Sequence, residues 1–107
     1  MAPVLDLHLA EIADLCRRYG VARLEVFGSA ATDAFDPARS DIDFLIAFDD
    51  DPNDLFKRYF GLKAALESRL GRGVDLVMTG AMRNLHFIES VNRSRRLIYA
   101  APDAQTA

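Results

Sequence analysis

The sequence predicts an α/β (α+β) fold in which a small mixed sheet of three to four strands is flanked by helices. Two observations predict it. Short apolar runs rich in valine, isoleucine and phenylalanine alternate with longer stretches whose apolar residues recur at helical spacing. Glycine, proline and aspartate separate these stretches, as expected of turns and loops. Such alternation is typical of helices and strands that pack as layers around one core.

The first helix is predicted over residues 4–19. Its apolar positions recur at helical spacing and form one stripe: Leu5, Leu9, Ile12, Cys16 and Tyr19. Gly20 ends the helix, because glycine readily adopts the backbone conformation that follows a last helical turn. Cys16 lies on the stripe, so we interpret it as a core residue rather than a reactive thiol.

The strands are predicted from short runs bounded by turn residues: 22–27, 41–48 and 74–78. A turn of helix begins at Ser29. A second helix covers 52–70, with Asp51 as its cap and Pro52 at its first position. A last helix is predicted over 83–100. The second and third strands are expected to form a parallel pair joined by the second helix, although the sequence does not fix strand directions.

Length and composition indicate one domain over residues 1–107, in which 101–107 form a frayed tail. The single cysteine excludes an internal disulfide. The first residues carry acids and lack a basic stretch, and no apolar run is long enough to span a bilayer, so we expect a soluble, cytoplasmic protein with no membrane contact. The net charge of −3 argues against broad binding to nucleic-acid phosphates.

Asp41 and Asp43 open an otherwise apolar strand, "DIDFLIAF". Residues two apart share a face of a strand, so these carboxylates point the same way, while Ile42 and Phe44 line the buried face. Two like charges this close repel each other. A divalent cation such as Mg²⁺, which prefers oxygen ligands, would remove the conflict. The alternative is that both lie at a solvated strand end and have no role.

Two further features favour a functional site over a solvated strand end. Gly28 and Ser29 close the first strand and open a helical turn, where a glycine backbone and free N–H groups suit a phosphate. Asp75 interrupts the third apolar strand. The acidic triplet 49–51 is a weaker metal candidate, because Asp50 lies about 23 Å from Asp43 along an extended strand. We interpret the triplet as a loop and helix cap.

The segment "VFGSAATDAFDPARSDIDFLIAF", together with "VDLV" further on, resembles the minimal nucleotidyltransferases of the DNA polymerase β-like superfamily. The resemblance covers most of the chain. It implies that Gly28 and Ser29 hold a nucleotide triphosphate, and that Asp41, Asp43 and Asp75 are catalytic residues that bind two Mg²⁺ ions. Transfer would occur by attack of a hydroxyl on the α-phosphorus of ATP, with pyrophosphate leaving.

The sequence departs from the pattern of many family members, Gly-Ser-x-Ala-Arg-Gly, because Thr32 and Asp33 replace the arginine and the second glycine. The change removes a cation beside the triphosphate and adds an anion. Arg39 could compensate, although nothing in the sequence places it there.

The resemblance also implies a partner, because a domain this small leaves acceptor recognition largely to another molecule. Stand-alone members of the family are often antitoxins of HEPN-domain ribonuclease toxins, and some transfer AMP from ATP to a tyrosine of the toxin. A second hypothesis is a catalytically weak binding module that neutralises the toxin by covering its surface. A third is nucleotide transfer to a small molecule or an RNA end.

Several other side chains have a simpler structural interpretation. His8 and His86 lack the neighbours that a zinc site needs. The arginines near the end of the chain are expected on a solvated helix face: Arg93, Arg95 and Arg96. The aromatic residues of the second helix are expected in the core: Phe56, Tyr59 and Phe60.

Overall fold

The computed structural model describes residues 1–102. Its helices and strands follow the order α1 (Pro3–Arg18), β1 (Val21–Phe27), β2 (Ile42–Phe48), α2 (Leu55–Leu70), β3 (Val74–Met78), α3 (Leu85–Ser94) and β4 (Arg96–Ala100). Two short 3₁₀ turns, Gly28–Ala31 and Thr79–Ala81, follow β1 and β3. The predicted fold class, a small mixed sheet flanked by helices, is confirmed.

The four strands form one sheet in the order β3-β2-β1-β4. Strands β2 and β3 are parallel, as expected for strands joined by a helix, whereas β1 is antiparallel to both of its neighbours. Strand β3 therefore lies at one edge of the sheet, and α2 connects it to the adjacent strand.

Helices α1 and α2 cover one face of the sheet. Their buried residues, including Leu5, Ile12 and Leu66, pack against Val26 and Phe44 from the two central strands. Cys16 is fully buried in this cluster, as predicted for a core residue, and burial raises the pKa of its thiol to about 12.

Helix α3 packs on the opposite face through Val91, which contacts Phe27 and Leu45 in a second, smaller cluster. One amphipathic helix leaves part of that face uncovered, so the polar residues of β2 and β3 remain accessible there. This face carries Asp43 and Asp75, because they alternate with the core-facing Phe44 and Leu76.

The prediction of a last helix over 83–100 is wrong in its second half. The helix ends at Ser94, and Arg96–Ala100 form a strand that pairs with β1. This pairing supplies hydrogen-bond partners to the outer side of β1, which would otherwise be an open edge. Ala101, predicted to be frayed, donates its N–H to the Ala22 carbonyl at 2.8 Å; positions 103–107 of that tail lie outside the described residues.

The start of the second helix was also predicted wrongly. Helix α2 begins at Leu55, and Asp54 precedes it in a left-handed conformation with φ of 55°. The Asp51 carboxylate instead accepts the N–H of Asn53 at 2.9 Å, which stabilises a turn before the helix.

The aromatic residues predicted to be core are only partly so. Phe56 is 77% exposed and Phe60 is 50% exposed, whereas the buried stripe of α2 begins at Leu62. The first turns of α2 pack beside β3, which is an edge strand of the sheet. The side chains of these turns therefore have less of the sheet surface to pack against.

Within residues 1–102, every helix is too short or too polar to cross a lipid bilayer.

Candidate active site

Asp43 and Asp75 lie directly opposite each other on the parallel strands β2 and β3. Their side chains border one pocket and lie close enough for the charge of Asp75 to act on Asp43. The pKa of Asp43 is raised to about 6, first because the side chain is partly buried, then by Asp75, and finally by the charge of Asp41. Asp75 is the more exposed of the pair, at the edge of the sheet.

The turn that contains Gly28 lies against this pair. Phe27 is opposite Asp43 across β1 and β2, and Gly28 has φ of +70°. A Cβ atom at Gly28 would lie 3.1 Å from Oδ2 of Asp43. Both the backbone conformation and the close approach of the carboxylate therefore favour glycine here. The N–H of Gly28 donates to Oγ of Ser94 at 2.8 Å, which ties the turn to the end of α3.

Ser29 lies in the 3₁₀ turn Gly28–Ala31 and is partly exposed. Its carbonyl accepts the N–H of Thr32 at 3.1 Å and the Thr32 hydroxyl at 3.2 Å. The helical turn predicted at this position is therefore a single 3₁₀ turn that Thr32 closes. Thr32 and Asp33 are both exposed.

Asp41 precedes β2, and its carboxylate lies over Gly73. A Cβ at Gly73 would be only 2.7 Å from Oδ1 of Asp41. The preceding loop is held by Arg72, which donates to the carbonyls of Pro37 (3.1 Å) and Ser40 (3.2 Å). Its guanidinium also stacks 4.9 Å from the Phe35 ring centroid.

The structure therefore brings two of the predicted carboxylates together and leaves the third beside them. Asp43 and Asp75 meet next to the Gly28 turn, whereas Asp41 faces Gly73. In the part of the chain that the structure describes, no three acidic, histidine or cysteine side chains form a ready metal-binding group.

A cleft of about 320 Å³ opens at the carboxylate pair. Besides Asp43 and Asp75, its walls include Tyr59, Lys63, Phe27 and Phe87. Phe27 and Phe87 meet edge to face, with ring centroids 5.8 Å apart. The sequence did not predict Lys63 or Phe87 as site residues, because their place at the cleft depends on how α2 and α3 pack beside β3.

Glu25 is a second acidic residue that sequence reasoning missed. It is only 4% exposed on the face of the sheet that carries Asp43, and Arg95 binds it through two hydrogen bonds of 2.8 and 2.6 Å. Arg23 adds a third at 3.0 Å. The hydrogen bond from Arg95 is the main reason why the pKa of Glu25 lies below its ordinary value. Arg95 is therefore part of a structural ion pair. Arg93 is exposed on α3 as expected, whereas Arg96 is exposed on strand β4 and not on a helix face.

The acidic loop after β2 is a structural loop as expected, but Asp51 does not cap α2. Asp49 accepts a hydrogen bond of 2.9 Å from Arg58. The same guanidinium donates to the carbonyls of Tyr19 and Gly20, both at 3.3 Å, and thereby joins the end of α1 to this loop.

The fold and the paired carboxylates define the class of protein, an α/β domain with an acidic cleft beside a Gly-Ser turn. Comparison with known sequences identifies the family, because residues 10–99 match the nucleotidyltransferase domain family. The chain is 34% identical over 99 residues to a candidate protein adenylyltransferase of Methanocaldococcus jannaschii, covering 85% of this chain and 96% of that protein.

Solved structures agree with this assignment. A candidate minimal nucleotidyltransferase aligns with a TM-score of 0.71 and 32% identity, over 90% of this chain and 95% of that chain. A chain in a complex of a tri-AMPylated Shewanella oneidensis HEPN toxin with its MNT antitoxin shares the fold, with a TM-score of 0.62 and 19% identity. That alignment covers 94% of this chain and 76% of the other.

The chain therefore belongs to the nucleotidyltransferase domain family.

Proposed function

We propose that this protein is a Mg²⁺-dependent nucleotidyltransferase that transfers AMP from ATP to a hydroxyl group of a partner protein, and that it is the antitoxin of a HEPN toxin. The observation that carries the proposal is that Asp43 and Asp75 line one cleft beside Gly28. The names of its relatives, a candidate protein adenylyltransferase and an MNT antitoxin bound to an AMPylated toxin, support the choice of nucleotide and partner.

The carboxylate pair fits a divalent cation. The two side chains offer oxygen donors, and their repulsion contributes to the raised pKa of Asp43. A cation between them would remove that repulsion. When bound, Mg²⁺ would stabilise the negative charge that develops on the attacking and leaving oxygens. A second ion would need Asp41 as a further ligand, and that carboxylate now lies over Gly73.

The reaction assigns a task to each group of residues. Gly28 and Ser29 hold the phosphates, because Gly28 lets the backbone approach without a side chain. The oxygen of the acceptor hydroxyl bonds to the α-phosphorus, and the bond from that phosphorus to the β-phosphate oxygen breaks. Pyrophosphate leaves with the electron pair of that bond. Asp75, exposed at the edge of the sheet, accepts the hydroxyl proton.

One experiment tests this proposal. The chain is mixed with a HEPN-type partner, Mg²⁺ and ATP labelled in the α-phosphate, and the label on each protein is followed. Wild type should label the partner, whereas Asp41→Asn, Asp43→Asn and Asp75→Asn should each lower labelling by about 10²-fold or more. Asp14→Asn, at an exposed acidic position on α1, is the matched control and should label normally.

A second candidate function is neutralisation of the partner without catalysis. Two observations favour it: Thr32 and Asp33 replace the arginine and glycine of many family members, and the Asp41 carboxylate lies over Gly73 rather than in the lining of the cleft. If wild type leaves no label and the aspartate variants still neutralise the partner, the binding module is correct and the enzyme proposal fails.

A further inference from the structure

An apolar groove of about 420 Å³ runs along the edge of the sheet next to the carboxylate cleft. We call it the edge groove. Its walls are Leu55, Phe56, Tyr59, Phe60, Leu76 and Met78, with Ala81 at its end. The rings of Phe56 and Phe60 lie 4.6 Å apart, and both are at least half exposed. Such an exposed aromatic pair is typical of a contact surface.

The edge groove is continuous with the cleft. Tyr59 and Leu76 line both of them. The order of the strands places the Gly28 turn of β1 at one side of Asp43 and the exposed Asp75 of β3 at the other. With the nucleotide phosphates at Gly28, a molecule that brings a hydroxyl to Asp75 therefore enters from the β3 edge, over the edge groove.

The partner cannot readily bind this edge by adding a strand along the middle of β3. The hydroxyl of Tyr59 donates to the carbonyl of Leu76 at 2.5 Å, and the carboxylate of Glu67 accepts the N–H of Val74 at 3.1 Å. These side chains of α2 occupy outward-facing backbone groups that strand addition would require. Recognition must then depend on side-chain packing in the edge groove.

Acidic side chains lie at both ends of the edge groove. Where the groove joins the cleft, Asp43 and Asp75 line the wall, and Lys63 is paired with Glu67 at 3.3 Å. At the other end, Leu55 and Met78 also border a pocket that contains Asp50 and Asp51. A complementary segment is apolar in the middle and basic at the end that faces Asp50 and Asp51.

We propose that the edge groove docks the acceptor protein through one such segment and delivers its hydroxyl to Asp75. This inference rests on the proposed function, because it takes Asp75 as the acceptor side of the site. Beyond the proposed function, the inference names the surface that selects the acceptor protein. It also gives the chemistry of the acceptor segment that binds this surface. A second copy of this chain and a nucleic acid are the competing occupants.

The test uses the full chain with the HEPN-type toxin as the binding partner. The double variant Phe56→Ser/Phe60→Ser removes the exposed aromatic pair, and Asp50→Lys reverses the charge at the far end of the groove. The control is Leu7→Ser, which changes an apolar side chain that is 79% exposed on α1. Calorimetry measures the affinity for the toxin and for a non-hydrolysable ATP analogue with Mg²⁺, and sedimentation measures self-association.

The groove variants should weaken toxin binding about tenfold or more and leave the affinity for the ATP analogue unchanged, whereas Leu7→Ser should change neither. The inference is overturned if the groove variants bind the toxin normally, if Leu7→Ser weakens binding equally, or if wild type forms no complex with the toxin. It is also overturned if the groove variants bind the toxin normally but abolish self-association or, in the same calorimetry, binding to a single-stranded RNA.

These outcomes separate the inference from the proposed function. A wild-type chain that binds the toxin through the edge groove but transfers no AMP would reject the enzyme proposal and keep the docking surface. A wild-type chain that transfers AMP equally well with both groove variants would keep the enzyme and reject the docking surface.

Discussion

Asp43 and Asp75 occupy the same level of the parallel strands β2 and β3, and both side chains line the same cleft. In a parallel pair the register is set by the backbone hydrogen bonds and by the apolar residues on the buried face, here Phe44 and Leu76. The core on one face of the sheet thus holds two like charges together on the other face. This arrangement destabilises the domain and creates a place for a cation.

The first prediction concerns the stability cost of Asp43. Its raised pKa means that the ionised carboxyl is disfavoured in the folded state, so stability is lost as pH rises from about 4 toward 6, where the folded group ionises. In a metal-free buffer at pH 7.5, Asp43→Asn should therefore raise the free energy of unfolding by about 1 kcal/mol, after allowance for solvent screening. Urea denaturation at pH 7.5 and pH 4 measures the difference, which should shrink at pH 4. Destabilisation at pH 7.5 would contradict the proposed repulsion.

The second prediction concerns the buried Glu25. Its pKa is lowered, chiefly by Arg95, so the stability it contributes is present above the ordinary pKa of 4.5 and is lost as pH falls below that value. Glu25→Gln should cost about 2 kcal/mol at neutral pH, because Arg95 and Arg23 lose their charged acceptor. It should also remove part of the acid sensitivity of unfolding. Asp14→Asn, which breaks an exposed ion pair, is the control and should cost less than about 0.5 kcal/mol.

The third prediction compares two glycines with the same backbone conformation. Gly28 and Gly71 have φ of 70° and 67°, but a Cβ would meet the Asp43 carboxylate only at Gly28. Alanine at either position should cost about 1 kcal/mol through backbone strain. Only Gly28→Ala should also weaken the affinity for Mg²⁺ and ATP, measured by calorimetry. Equal nucleotide affinity in the two variants would argue against a role for this turn in nucleotide binding.

The fourth prediction tests whether the position of Asp41 matters. A Cβ at Gly73 would come within 2.7 Å of its carboxylate, which is the movable end of a side chain, so Gly73→Ala should displace Asp41 with little change in stability. If Asp41 takes part in transfer, labelling of the partner should fall about tenfold or more. Gly80→Ala is the control, since a Cβ there meets nothing within 4 Å. Normal labelling by Gly73→Ala would count against Asp41 as a metal ligand.

The fifth prediction concerns Cys16. The side chain is fully buried and the pKa of its thiol is about 12, so the reactive thiolate is both scarce and inaccessible. A thiol reagent should label native protein only as fast as the protein unfolds, and should label it rapidly in urea. Rapid labelling of the native protein would show that α1 detaches from the sheet readily.

Much of the fold could be predicted from the sequence, because its strands are short apolar runs bounded by turn residues. The strand Arg96–Ala100 could not be predicted in this way, since its one arginine and its aliphatic residues suit a helix end equally well. Its conformation depends on pairing with β1, which is distant in sequence. The exposure of Phe56 was missed for a similar reason, because a helical pattern does not tell whether a turn of helix extends past the edge of a sheet.

The sequence also indicated which side chains are candidates for the site, but not how they meet. Alternation along a strand places Asp41 and Asp43 on one side, whereas the shared cleft of Asp43 and Asp75 depends on the register of two strands. The position of Asp41 over Gly73 depends on the loop that Arg72 holds. The place of Lys63 in the cleft wall and the burial of Glu25 depend on tertiary packing, which the sequence pattern does not give. The roles of these carboxylates in catalysis stay predictions for the labelling experiment.

The hydrogen bond from Gly28 to Ser94 makes the turn an internal reporter of helix docking. A glycine amide in a partly exposed turn would normally exchange with solvent deuterium within seconds, whereas this one is held by a side chain from α3. The amide proton of Gly28 exchanges only when α3 detaches from the sheet or the turn opens. The rate of deuterium uptake at this single amide therefore measures how often α3 detaches from the sheet, both without and with a bound ligand.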